Sequence, residues 1–262
     1  MSKGRAVPLV VARVAGWRWS ALLPVATGAV IVALWQLLAS TAHSYFFPTP
    51  AAIARALGKD WAWSGLRQNL LPTIEELATG VGLGVVVGLL LGCVIGATGW
   101  VRLLSRAVIE FLRTLPAAAL LPAGLVVLGT GTTMRVAITA FVCAWPVVLN
   151  VVDGLDRFDQ VALATARVYG VGLWRRWQSV LLPGIARELF VGLRNAVALG
   201  IIMVVISEMF TSSAGVGYFL SQAQQDFDLK GMWSGIVVLG LLGILLNKLV
   251  DWGERAVLRW ER

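Results

Sequence analysis

Residues 161–183 read VALATARVYGVGLWRRWQSVLLP, a polar and basic island in an otherwise strongly apolar chain. Ala164, Thr165 and Ala166 are followed by Gly170 and then, after nine intervening residues, by Val180, Leu181, Leu182 and Pro183. This order has the look of a docking loop with a fixed internal geometry. Just upstream, Asp153, Asp156 and Asp159 introduce a short helical stretch. Its Phe158, Val161, Thr165 and Val168 fall on one face, within about 80° at roughly 100° per residue, with Arg167 opposite. Acids at its start favour the positive end of the helix dipole. Gly170 is expected to end it, because glycine accepts the left-handed conformation used at a helix C-terminus.

Around this island the 262-residue chain is 58% hydrophobic and 14% charged, with a mean hydropathy of +0.80, which places it among membrane proteins. A net charge of +8 would raise the question of nucleic acid in a soluble protein. Here the basic residues separate uncharged spans long enough to cross a bilayer, so no nucleic-acid partner is expected. Cys93 and Cys143 both fall in apolar spans and read as small core residues, without a disulfide framework or metal cluster. His43 is the single histidine, and HExxH, GxSxG and GxxxxGK[ST] are missing. Neither a catalytic residue nor a metal or cofactor bound by this chain is therefore expected.

Residues 1–20 carry Lys3, Arg5, Arg13 and Arg18 and no acid, and form a basic cytoplasmic N-terminus. Residues 21–40 are uncharged and lack a small-residue cleavage site, so they read as a first membrane helix and not as a signal peptide. The connection 41–76 contains Thr49 and Pro50, which start a short amphipathic helix, then Trp61, Trp63, Glu75 and Glu76, and is expected on the outer face. Residues 77–101 form a second span with glycine at 80, 84, 88, 92 and 96. That stripe lets another helix backbone approach, either for tight packing or as a surface that slides. Arg102, Arg106 and Arg113 lie in a short inner connection, and 114–133 is a third span interrupted by Pro116 and Pro122. A broken span lines a pathway or is only a kinked packing helix, and the sequence leaves both open.

Arg135 marks a short outer turn before a fourth span at 136–152. The polar connection 153–190 follows, in which Trp174, Arg175, Arg176 and Trp177 suit the lipid headgroups and Pro183 breaks the backbone ladder before re-entry. A fifth span near 192–209 has Glu208 close to its outer end, 211–230 is an outer surface or re-entrant segment, and 231–247 is the sixth. The expected fold is thus all-α, with about six transmembrane helices in one domain over 21–252 and a basic cytoplasmic tail over 253–262. Of the 22 Lys and Arg, 17 fall on inner segments, a bias that puts both termini in the cytoplasm. A short, half-apolar helix held outside the bilayer needs a partner groove for its exposed face.

The spacing from Thr165 and Ala166 through Gly170 to Val180, Leu182 and Pro183 resembles the EAA motif of binding-protein-dependent ABC importer permeases. Ala164 stands where that motif has Glu, and Thr165 where it has Ala, which removes the acid that would form a salt bridge there. The likeness extends over about residues 45–260. RTLPAAALLPAGLVVLGTG at 113–131, VGLRNAVALG at 191–200 and SEMFTSSAGVGYFL at 207–220 are similar to permeases for aliphatic sulfonates, taurine and nitrate. The resemblance implies a type I importer in a bacterial cytoplasmic membrane. It comprises two copies of the permease, a dimer of ATPase subunits that bind ATP and Mg, and an extracytoplasmic solute-binding protein that carries most of the selectivity. In that frame Ala164, Thr165, Ala166, Arg167, Gly170, Leu182 and Pro183 form the ATPase-coupling element, and Pro116, Pro122 and Glu208 are candidates for a gate or pathway.

Glu208 admits two readings. It is a proton-coupling site of an ion-coupled secondary transporter, or a carboxylate that pairs with a neighbouring segment or caps the start of 211–220. The second is expected, since an acid without a partner Arg, His or acid in the other spans makes a poor relay. The solute is left open among sulfonate, taurine, nitrate and pyrimidine or flavin precursors. An anion calls for a helix N-terminus or an arginine in the pathway, and no span carries a central Arg or Lys. Missing catalytic pairs weigh against an intramembrane enzyme.

Overall fold

A computed structural model describes residues 19–42 and 44–259. The expectations for residues 1–18, His43, Trp260 and Arg262 lie outside the described residues. The described elements are helical: α1 Trp19–Ala42, α2 Pro50–Asp60, α3 Trp63–Ala97, α4 Gly99–Thr114, α5 Leu120–Leu128 and α6 Thr132–Asp156. Then follow α7 Gln160–Val168, α8 Leu173–Arg176, α9 Ala186–Thr211, α10 Val216–Gln225 and α11 Leu229–Val257. Five helices are long and apolar enough to cross a membrane, and the bent pair around residue 115 makes a sixth.

The centre of the bundle is the packing of α3, α6 and α9, whose Leu77, Val81, Cys143, Val147, Val151, Ala196, Val197 and Val204 are buried together. The glycine stripe of α3 faces α6 along its length. A Cβ on Gly84 would stand 2.7 Å from the Ala140 carbonyl oxygen, and one on Gly88 2.7 Å from that of Ala144. An approach this close is possible only because α3 carries no side chain there, leaving room for the α6 backbone and for Cys143 and Val147. Cys143 belongs to this seam as a small core residue and donates its thiol to the Ala196 carbonyl at 3.2 Å. Around the centre, α1 exposes most of its apolar side chains, as a lipid-facing helix does, and is held through Trp35 against Phe47 and Trp233. As the sequence predicts, Thr49 caps α2, accepting from the Ala52 N–H at 3.2 Å, with Pro50 at the first helical position.

Span boundaries depart from the sequence reading wherever a charge is paired inside the protein. Glu76 and Arg135, expected in outer connections, are buried within α3 and α6 and bonded to each other. Residues 99–114, expected to contain a short connection, form a helix whose Arg102, Arg106 and Arg113 share one face while Leu103, Leu104, Val108 and Phe111 are exposed on another. The third span does not run straight from 114 to 133. Leu115 and Pro116 are extended, the chain bends by 83°, and a short 3₁₀ turn over Ala117–Ala119 leads into α5, which contains Pro122. A residue before proline is driven out of the helical region, which is why the break falls there. Asp153 and Asp156 lie in the last turn of α6, so only Asp159 serves the start of the loop helix.

Candidate functional site

Three of the regions that carry polar chemistry bear on function: the connection 157–185 at one end of the bundle, a cavity beside it, and a buried network at the opposite end. In the connection, Asp159 caps α7 by accepting from the Val161 N–H at 2.8 Å. Thr165 Oγ donates to the Val161 carbonyl at 2.8 Å. The helix ends in a Schellman arrangement: the Val171 N–H bonds the Ala166 carbonyl, the Gly170 N–H bonds that of Arg167, each at 3.0 Å, and Gly170 has φ +68°. Only glycine occupies that conformation without strain.

Ala164, Thr165 and Arg167 point outward from α7, and Val168 and Tyr169 are 86% and 82% exposed. Ala166 is buried and serves the loop's own packing. Phe158, expected on the outward face, precedes the helix and turns inward against Gly184. Beyond α8, a π-helical turn over Trp177–Leu181 and the Leu182–Gly184 turn carry the chain into α9, with Leu182 packed on the central core and Pro183 half-buried.

A cavity of about 930 Å³ opens between α4, α6 and α9 at the same end. Arg102 on its wall donates to Asp156 and, at 2.6 Å, to the Gly96 carbonyl, tying the ends of α3, α4 and α6 together.

At the opposite end the Arg135 guanidinium donates to Glu76 through Nε at 2.9 Å and Nη2 at 2.6 Å, and through Nη1 to the Thr211 carbonyl at 3.1 Å. Glu208 is fully buried. Its Oε1 accepts from Thr73 Oγ at 2.7 Å and its Oε2 from the Gly217 N–H at 2.8 Å, while Thr73 Oγ accepts from the Val216 N–H at 2.8 Å. Glu208 and Thr73 together cap the first turn of α10. Gly215, at φ +105°, makes the turn, and a Cβ there would overlap the Glu208 carboxylate.

Glu208 is therefore not a lone acid, since the Glu76–Arg135 pair reaches the end of its own helix. Sequence reasoning missed Thr73, Glu76 and Arg135. The available signal was opposite charges at the adjoining ends of two antiparallel spans. On the surface nearby, Asp60 at the end of α2 has its carboxyl pushed above the ordinary carboxylate value, first by burial and then by the charge of Asp228. Among the described residues no cluster of His, Cys, Asp and Glu could hold a metal ion.

Residues 80–261, which include the α7 loop and the Glu208 cap, match the family described as binding-protein-dependent transport system inner membrane component. The chain belongs to that family. This permease is 28% identical over 248 residues to the aliphatic sulfonates transport permease SsuC of Bacillus subtilis (strain 168), covering 94% of this chain and 88% of that protein. It is 26% identical to the nitrate import permease NrtB of Leptolyngbya laminosa, over 84% of this chain and 82% of the relative. The formylaminopyrimidine transport permease ThiX of Halalkalibacterium halodurans is also 26% identical, over 93% of this chain and 98% of the relative.

Among solved structures, an inward-facing form of the MetNI methionine ABC transporter superposes with a TM-score of 0.63 at 19% identity, covering 75% of this chain and 99% of the other. The permease thus has the type I ABC importer architecture and is a membrane subunit of a binding-protein-dependent importer. Such permeases work with ATPase and solute-binding partners, so the energy comes from ATP. An ion-coupled carrier using Glu208 is not favoured, and both oxygens of that carboxylate are already engaged.

Proposed function

We propose that two copies of this permease form a translocation pathway for a small organic or inorganic anion, such as a sulfonate or nitrate, delivered by an extracytoplasmic binding protein. The α7 connection docks in a cleft of an ATPase dimer, which holds the ATP and Mg, while the permease itself carries out no chemistry. Ala164, Thr165, Arg167 and Gly170 lie at that contact, and Leu182 and Pro183 set the angle at which the chain returns to α9. Closure of the ATPase pair moves α7 and, through Arg102 and Asp156, the ends of α3, α4 and α6, in rigid-body alternation. The protein sits in a bacterial cytoplasmic membrane with both termini in the cytoplasm. Names of the relatives support an anion, two of the three described above being anion permeases by name.

The observation that carries this reading is a capped, Schellman-terminated helix standing outside the bundle with Val168 and Tyr169 in solvent. A rigid helix with an uncovered apolar face is built to enter a groove. Gly170→Pro removes the N–H that bonds the Arg167 carbonyl and forbids positive φ. That variant should insert in the membrane normally but lose ATP-driven uptake and copurification with the ATPase. Normal uptake and copurification would overturn the assignment.

A further inference from the structure

The cavity between α4, α6 and α9 has three arginines and three acids on its wall: Arg102, Arg106, Arg113, Glu110, Asp153 and Asp156. Two of the arginines are closed off by the protein itself. Arg102 is bonded to Asp156 and to the Gly96 carbonyl, and Arg113 donates to Glu110 at 2.6 Å. Arg106 is exposed to the cavity and has no hydrogen bond or ion pair among the described residues; it feels the charge of Glu110 without bonding to it, since that carboxylate is bonded to Arg113. Asn195, on the facing wall, is likewise exposed, and its amide has no hydrogen bond among the described residues. Asn150 beside it keeps its amide oxygen free, while its Nδ2 donates to the Pro146 carbonyl at 2.7 Å.

We propose that Arg106 is the residue that meets the anionic head group of the solute as it crosses this half of the pathway, with Asn195 supplying neutral hydrogen bonds. This rests on the permease reading above. A guanidinium with five N–H donors and no internal acceptor is the side chain best suited to a planar or tetrahedral oxyanion. Asp153, the acid on the same wall without an ion pair among the described residues, sets a limit on the charge of that ion. It repels a second negative charge, so a monoanion is favoured over a dianion. A volume of about 930 Å³ greatly exceeds a solute of a few heavy atoms. The contact is therefore loose, which suits a site that must release what it holds.

The test uses the complete transporter, permease with its ATPase and binding protein, reconstituted in liposomes and offered labelled ethanesulfonate, nitrate and bicarbonate. For whichever of these the wild type carries, Arg106→Ala should lower the maximal uptake rate about tenfold, the effect of losing one charge-assisted hydrogen bond. Arg106→Lys should restore most of that rate, and Arg106→Glu should lower it further. Copurification of each variant with the ATPase shows that it has folded and assembled. Wild-type uptake rates in both Arg106→Ala and Arg106→Glu would overturn the role of Arg106 and leave the permease reading standing. Uptake of none of the three anions by a wild type that binds its ATPase would overturn the anion contact in the same way. A wild-type chain that neither binds an ATPase nor takes up any solute with ATP would overturn the permease reading itself, and this proposal with it.

Discussion

At one end of the bundle Thr73 is bonded to Glu208 and Arg135 to Glu76, all four of them buried; at the other, α7 leaves Val168 and Tyr169 in solvent. Both regions join transmembrane helices through polar residues, and both contain a glycine at positive φ, Gly215 and Gly170. They differ in where the partner groups come from. The buried network draws on α3, α6, α9 and α10 of the same chain, so its charges and caps are complete. The α7 loop satisfies its own backbone, through Asp159 and the Schellman turn, and leaves Val168 and Tyr169 uncommitted. Internal completion makes the first region a fixed point of the fold, and the open face makes the second a surface to be gripped.

Breaking the buried network should therefore cost stability, most of all at its ion pair. Arg135→Leu leaves Glu76 buried without a partner, a change expected to destabilise by about 3–5 kcal/mol. It should appear as a large drop in the unfolding midpoint of the purified protein in detergent. The double variant Glu76→Leu with Arg135→Leu should recover much of that loss, because no buried charge is then left unpaired. If the double variant is as unstable as the single one, the two residues do not act as a pair.

A smaller loss is expected from Thr73→Val, which keeps the shape but removes the hydroxyl that donates to Glu208 and accepts from the Val216 N–H. Leaving those buried groups short of one partner should lower stability by about 1–3 kcal/mol. Hydrogen exchange should rise first at the amides of α10, whose cap is lost. An unchanged exchange pattern there would show that Thr73 does not hold the helix start.

The same contrast explains which parts of the molecule can be read from the sequence. Long uncharged runs mark α3, α6, α9 and α11, and the glycine stripe at 80 to 96 announces a close helix pair. The loop is legible because its geometry is local: an Asp cap, a glycine stop and a proline return lie within one short stretch. The buried network is not local. Hydropathy treats Glu76 and Arg135 as boundaries, since a charge neutralised by a residue far along the chain looks the same as one in water. For the same reason residues 99–114 read as a connection, although their arginines face a cavity and their leucines face outward. Glu208 is legible as a pairing or capping carboxylate because the other spans offer it no evident relay partner; its bond to Thr73, far along the chain, is not.

The smallest effect on stability is expected at α7, and there the comparison is sharpest. Val168→Ser with Tyr169→Ser removes two side chains that touch little of their own protein, so the unfolding midpoint should move by no more than about 0.5 kcal/mol equivalent. If those side chains fill a groove on the ATPase, the same double variant should lose copurification with it, because apolar anchors at the centre of an interface carry most of the binding energy. Stability and association thus separate at this loop, whereas at the buried network they should fall together. A double variant that is clearly destabilised while still holding its ATPase would reverse that order, and would mean that Val168 and Tyr169 pack within the permease, with the grip on the ATPase residing in other residues of the 157–185 connection.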